Sequence, residues 1–122
     1  MNSTILIIED NIQNMYMLSY LLTSSSYNVI KAYNGIDGLN LANKKHPEII
    51  LVDIQLPDMD GYEICSRLRS SGLPKSIVVI VVTSHAMGGD QEKAIEAGAN
   101  GYIEKPINPD TFVKQMESIF KA

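Results

Sequence analysis

The sequence is poor in several things, and each shortage removes a class of function. There is one cysteine, Cys65, among 122 residues, so no disulfide can close within the chain, which fits a reducing compartment. No apolar run approaches the ~20 residues that span a bilayer. The run Ile5–Ile8 is too short for a signal peptide, and Glu9-Asp10 ends it. No Lys/Arg cluster is long enough to track a phosphate backbone, and the net charge is -4 from 10 basic and 14 acidic side chains, so direct nucleic-acid binding is not expected. Internal repeats, linkers and low-complexity tracts are also missing. The nearest candidate is the triplet Ser24–Ser26, read as a loop closing the first helix. What is present is 45% hydrophobic residues, enough for a full core at the length of one ordinary domain. The expectation is a soluble, cytoplasmic single domain over 1–122, with no membrane contact.

Short apolar runs alternate with longer amphipathic segments. Ile5–Ile8 leads into a segment with Met15, Leu18, Leu21 and Leu22 at helical spacing. Val29-Ile30 leads into one around Leu39 and Ala42. Ile49–Val52 precedes Tyr62–Arg69, where Ile64 and Leu68 share a face. Ile77–Val82 is six β-branched residues in a row and precedes a short helix over Asp90–Ala97, stopped by Gly98. Tyr102-Ile103 is a brief strand. The last helix is expected to open with Asn108 as cap and Pro109 at its first position, burying Phe112, Met116, Ile119 and Phe120. Five strands thus alternate with five helices. Continuously apolar strands need burial on both faces, which means helices on both sides of a parallel sheet. The fold class is a doubly wound α/β domain.

Ligands in such sheets bind at the carboxyl ends of the strands, near the topological switch point. There the first strand ends in Glu9-Asp10, the third in Asp53, the fourth in Thr83-Ser84 and the fifth in Glu104-Lys105-Pro106. With strand order 2-1-3-4-5, three carboxylates, a hydroxyl and an ammonium converge. Crowded carboxylates repel, and one takes up a proton unless a cation intervenes. Oxygen-only ligands on a partly open site suit Mg²⁺, with Mn²⁺ as a substitute. A carboxylate beside a metal, an ammonium and a hydroxyl is an arrangement for accepting a phosphoryl group.

Four blocks carry a resemblance. Glu9–Asn11 (EDN), Val52–Gly61 (VDIQLPDMDG), Val81–Ala86 (VVTSHA) and Gly101–Pro106 (GYIEKP) resemble, in order and spacing, the signature blocks of the response-regulator receiver domain of the CheY-like superfamily. They are most similar to stand-alone cell-polarity regulators of the DivK type and to receivers of hybrid histidine kinases. The resemblance implies a two-component phosphorelay protein that is a switch rather than an enzyme. Asp53 would take its phosphoryl group from a sensor histidine kinase or a histidine phosphotransfer protein. Glu9, Asp10, Asp53 and the carbonyl of Gln55 would hold Mg²⁺, and Thr83 and Lys105 would contact the phosphoryl group. The Lys105–Pro106 peptide would be cis. Thr83 and Tyr102 would form the switch that biases the face made by the fourth helix, fifth strand and last helix, which a downstream protein reads. Gln55 and His85 occupy the positions that tune phosphoryl lifetime.

The sequence departs from the family pattern at three places. Ser84 replaces the usual alanine after the threonine. Gly38 stands where the second helix usually has alanine, at about 1 kcal/mol of helix propensity. Gly88-Gly89 loosens the entry to the fourth helix, where conformational change is expected. Simpler roles weigh against each assignment: a turn-opening Asp53, a dipole-favoured acid pair at Glu9-Asp10, a packing Tyr102, a solvated His46, a packing Cys65. An aspartate-nucleophile phosphatase of the haloacid-dehalogenase type would need a second Asp where Gln55 stands. A flavodoxin-like electron carrier would need a Ser/Thr/Gly phosphate loop where the two acids stand, and the complete acid, Thr and Lys set argues against a non-phosphorylated pseudo-receiver. The chain is expected to be either a stand-alone regulator or a domain of a longer protein, the starting Met and the lack of a tail favouring the first.

Overall fold

The computed structural model describes residues 3–84 and 90–121. Five strands, β1 (Thr4–Ile8), β2 (Asn28–Ala32), β3 (Ile49–Asp53), β4 (Val78–Thr83) and β5 (Gly101–Glu104), alternate with five helices. These are α1 (Ile12–Ser24), α2 (Gly35–Lys45), α3 (Gly61–Ser70), α4 (Asp90–Glu96) and α5 (Phe112–Phe120). The sheet is parallel throughout, in the order β2-β1-β3-β4-β5. This is the doubly wound architecture expected from two-sided strand burial.

The side-chain period of two divides each strand between two cores. Leu6, Ile8, Ile50, Val52, Val79 and Val81 pack under α2, α3 and α4 through Ala42, Ile64, Leu68 and Ala94. Ile5, Ile7, Ile49, Leu51, Ile80 and Val82 face Met15, Leu18 and Leu22 of α1 and Phe112 and Met116 of α5. Burying each such aliphatic side chain contributes about 2 kcal/mol against the entropy of ordering the chain. The chain steps from β1 out to β2 and then back past β1 to β3. Loops leaving β1 and β3 therefore diverge to opposite faces and leave a crevice between the two strand ends.

Helices α1, α2 and α3 begin at this carboxyl edge, each with a side-chain cap. Asn11 accepts from the Asn14 N–H, Asn34 from Asp37, and Asp60 from Tyr62 and Glu63. Gly38 has a packing reason: a Cβ there would lie 2.5 Å from Cδ1 of Ile8, so α2 can approach β1 only through glycine. Gly98 takes φ +110, the conformation that ends the α4 segment.

Several boundaries differ from the sequence reading. The last helix starts at Phe112, not Pro109. The Asn108 side chain accepts from Asp110 two residues on, and its carbonyl accepts from Thr111 and Phe112, so Asn108 organises a turn before the helix. Ile119 and Phe120 are half-buried rather than buried. The fourth strand runs one residue later than expected because Ile77 donates to Pro74 in a turn. Thr83 is then the last strand residue, paired with Glu104. Ser24 belongs to α1, and Ser25 caps it.

Candidate functional site

The residues of the site are held by main chain first. The Glu9 N–H donates to the Ala32 carbonyl at 3.0 Å, continuing the β1–β2 pairing one step beyond the strand. The Asn11 N–H then donates to Glu9 Oε2 at 3.1 Å. Asp53 ends β3, and the Gln55 N–H donates to its Oδ1 at 3.2 Å. The Lys105 N–H donates to the Thr83 carbonyl at 2.7 Å, which fixes the chain where it leaves β5. The Lys105–Pro106 peptide is cis.

Lys105 Nζ lies 2.8 Å from Glu9 Oε1 and 3.4 Å from Asp53 Oδ2. Each of the two buried carboxylates thus has one oxygen on a backbone amide and the other on the same ammonium. Glu9 is 2% exposed and Asp53 7%, whereas Asp10 is exposed. One carboxylate oxygen from each of Glu9, Asp10 and Asp53 falls within 4.8 Å of the others. That is a hard, oxygen-only donor set of the kind a small divalent cation takes, with room left for water and a phosphoryl group.

Electrostatics reflect the crowding. Burial pushes the Glu9 carboxyl up, and the Asp53 charge adds to this. The hydrogen bonds from Lys105 and Asn11 offset part of the rise, leaving a net upward shift. Burial alone would pull Lys105 down, but the hydrogen bond to Glu9 and the charges of Asp53 and Glu9 outweigh it and hold the ammonium above its usual range. One cation serving two acids leaves Glu9 short of compensation.

The acids open into a cleft of about 770 Å³, whose other wall is the first turn of α1 with Asn11, Ile12 and Asn14. Gln55 and Ser84 also line it. Thr83 is buried at the end of β4, so Ser84 rather than Thr83 is the hydroxyl on the cleft wall. Tyr102 is half-buried and packs on the core shared by α2, α3 and α4. It pairs with Val81, two residues before Thr83, so Thr83 and Tyr102 lie on the same face of the sheet. His85 and the Gly88-Gly89 pair lie outside the described residues. The sequence reading missed the α1 wall, although Asn11 could have been read as a helix cap that brings the next turn to the acids. It also missed Asp58, whose carboxylate leaves this loop to bond α2.

Comparisons with known proteins agree with this geometry. Residues 5–117 match the family model described as the response regulator receiver domain. The polar-differentiation response regulator DivK of Brucella ovis is 38% identical over 118 residues, which cover 97% of this chain and 96% of that protein. The chemotaxis protein CheY4 of Vibrio cholerae superposes with a TM-score of 0.92 at 26% identity, over 98% of this chain and 99% of that one. The receiver domain of a sensor histidine kinase from Pseudomonas aeruginosa PAO1, solved with a magnesium ion in its active-site cleft, gives 0.89 at 28% identity over the full length of both.

Proposed function

The chain belongs to the response regulator receiver family of two-component systems, and on that footing we propose that Asp53 is its phosphoacceptor. Receivers of this family are in general signalling switches rather than catalysts, with partners among histidine kinases or phosphotransfer proteins and downstream effectors. The observation that carries the reading is the convergence of Glu9, Asp10 and Asp53 within 4.8 Å, with Lys105 Nζ on two of them. Residues 1–122 act as one receiver domain. A buried free thiol at Cys65 suits the cytoplasmic placement read from the sequence.

Glu9, Asp10, Asp53 and the Gln55 carbonyl would hold Mg²⁺, which supplies charge neutralisation for the transferring group. An Asp53 carboxylate oxygen attacks phosphorus of a phosphohistidine. The O–P bond forms as the P–N bond breaks, and the imidazole nitrogen keeps the electron pair and takes up a proton. Lys105 turns from the carboxylates to the phosphoryl oxygens. The Thr83 hydroxyl contacts the phosphoryl group and draws the end of β4 towards it. Tyr102, two residues back on the same face, repacks into the space released. That changes the α4-β5-α5 surface which a downstream protein reads. Gln55 and His85 set how long the phosphoryl group lasts.

The donor approaches through the cleft. Ile12, Tyr16 and Tyr20 form an i, i+4, i+8 stripe on α1 with 75%, 73% and 62% exposure, and Ile12 also lines the cleft. An apolar surface that begins at the mouth of the acceptor site is where a donor histidine domain would seat. Gln55 in place of a second Asp disfavours turnover of external phosphoesters, and the acids at Glu9-Asp10 disfavour a flavin phosphate. The test is labelling with phosphoramidate and Mg²⁺. The parent takes up one phosphoryl group and Asp53→Asn none; equal labelling of the two would refute the assignment. Kinase-driven transfer, unlike phosphoramidate labelling, should depend on Tyr16.

A further inference from the structure

The loop between β3 and α3 carries the acceptor site's amide donor, yet its tip is fastened to a different helix. At its base the loop closes on itself. The Gly61 N–H donates to the Ile54 carbonyl at 2.9 Å, Gln55 pairs with Asp60 in an isolated antiparallel bridge, and the Asp60 side chain caps α3. At the tip, Asp58 reaches across to α2. Its Oδ1 accepts the Gly35 N–H at 2.7 Å and its Oδ2 the Ile36 N–H at 2.9 Å. These are the first two residues of α2, and the next N–H, that of Asp37, goes to the helix's own cap, Asn34. Met59 completes the contact: a Cβ on Gly35 would lie 2.6 Å from Met59 Cγ. The two backbone donors hold the Asp58 carboxyl below its usual range, as expected of a charge-assisted pair of bonds.

An exposed loop ordered only at its base keeps backbone freedom at its tip. Asp58 removes that freedom three residues from Gln55, whose N–H holds Asp53 Oδ1. We propose that Asp58 is a positioning residue for the acceptor site: by gripping the first turn of α2 it fixes the loop that orients Asp53 and presents the Gln55 carbonyl to the metal. This rests on the acceptor-site reading above. It also makes α2 a sensor of the site, because coupling between two events is reciprocal. What Asp58 contributes to cation binding, cation binding returns to the Asp58–α2 contact.

The experiment is Mg²⁺ titration by calorimetry on the parent, Asp58→Ala, Asp58→Asn and Asn34→Ala. Asp58→Ala should bind Mg²⁺ about tenfold more weakly, the range seen when an outer partner of a metal ligand is lost. Asp58→Asn keeps one acceptor oxygen and should lose no more than about threefold. Asn34→Ala removes the other cap of the same helix, leaves the loop alone and should bind as the parent does. In the parent, Mg²⁺ should slow amide exchange at Gly35 and Ile36. Several results would overturn the proposal while leaving the acceptor site standing: Asp58→Ala binding as tightly as the parent, Asp58→Asn as weak as Asp58→Ala (a charge effect), Asn34→Ala as weak as Asp58→Ala (a helix-stability effect), or no change in exchange at Gly35 and Ile36. A parent that does not bind Mg²⁺ would overturn the acceptor-site reading and this proposal together.

Discussion

Replacing Lys105 with methionine keeps the length of the side chain and removes the ammonium from both of its contacts, Glu9 Oε1 at 2.8 Å and Asp53 Oδ2 at 3.4 Å. Taking one partner from a buried ion pair costs about 3–5 kcal/mol, because the charge left behind has lost its water and its counter-ion. The low end applies, since the cleft is open to solvent and both acids keep their backbone donors. Protonation sets a ceiling. Glu9 already titrates above its ordinary value of 4.5, and it will take a proton once that is cheaper than standing uncompensated, at about 1.4 kcal/mol per pH unit. The loss should therefore be about 3 kcal/mol near pH 8 and shrink towards pH 5. The assay is urea unfolding followed by circular dichroism, with and without Mg²⁺. With a slope of about 1.5 kcal/mol/M, the midpoint of Lys105→Met falls by about 2 M in the absence of Mg²⁺. Saturating Mg²⁺ should restore most of it, because a divalent cation neutralises the same oxygens. A variant as stable as the parent without Mg²⁺, or a loss that neither Mg²⁺ nor low pH diminishes, would refute the argument.

Further outcomes follow from these electrostatics and from the proposed roles of Gln55 and His85. Between 4.5 and its raised folded value, Glu9 keeps in the folded chain a proton that the unfolded chain has released, so its contribution to stability falls as pH rises through that window. Mg²⁺ competes for that proton, so its affinity should rise by up to about tenfold per pH unit across the window and level off above it; a flat calorimetric profile would contradict this. Gln55→Ala and His85→Ala should each change the decay rate of phosphoryl-Asp53 without abolishing labelling, and decay equal to the parent's in both would remove them from that role.

The sheet was legible because β1, β3 and β4 are short, continuously apolar runs rich in β-branched residues, a local signal that needs no partner to be read. The end of a buried strand is equally local, which is why Glu9, Asp53 and Lys105 could be picked out separately. Their meeting is not local. Lys105 and Glu9 are 96 residues apart and Lys105 and Asp53 are 52 apart, and only the strand order brings them together. The sequence could supply that order only as a condition, which the sheet meets. Reading failed where a side chain had two good uses: Asn108-Pro109 has the composition of a helix start, but the Asn108 side chain closes a two-residue turn instead. Asp58 was invisible for a different reason. Its partners are backbone amides of Gly35 and Ile36, 23 and 22 residues earlier, and a backbone amide leaves no mark in a sequence. Gly38 reads as a helix defect until Ile8 is seen against it.

The acid cluster is a conflict placed inside an otherwise consistent fold, and the conflict is what makes the site responsive. The strands beneath it are apolar apart from Thr83 at the end of β4, and among the described residues Glu9 and Asp53 share one ammonium, that of Lys105. A site with two ammonium groups would be satisfied at rest and would have no reason to take up a metal or a phosphoryl group. A site with none would leave the acids repelling one another with no cation to hold them together. One lysine between two carboxylates lies between those limits. On the proposed reading it contacts both acids, leaves Glu9 under-compensated, and changes partner when another cation relieves them. The backbone donors from Asn11 and Gln55 do not change partner, so the carboxylates stay in place while the charge around them is exchanged. On this view the rigid part of the switch is the main chain of the two loops after β1 and β3, and Asp58, by tying the second of these to α2, belongs to that rigid part.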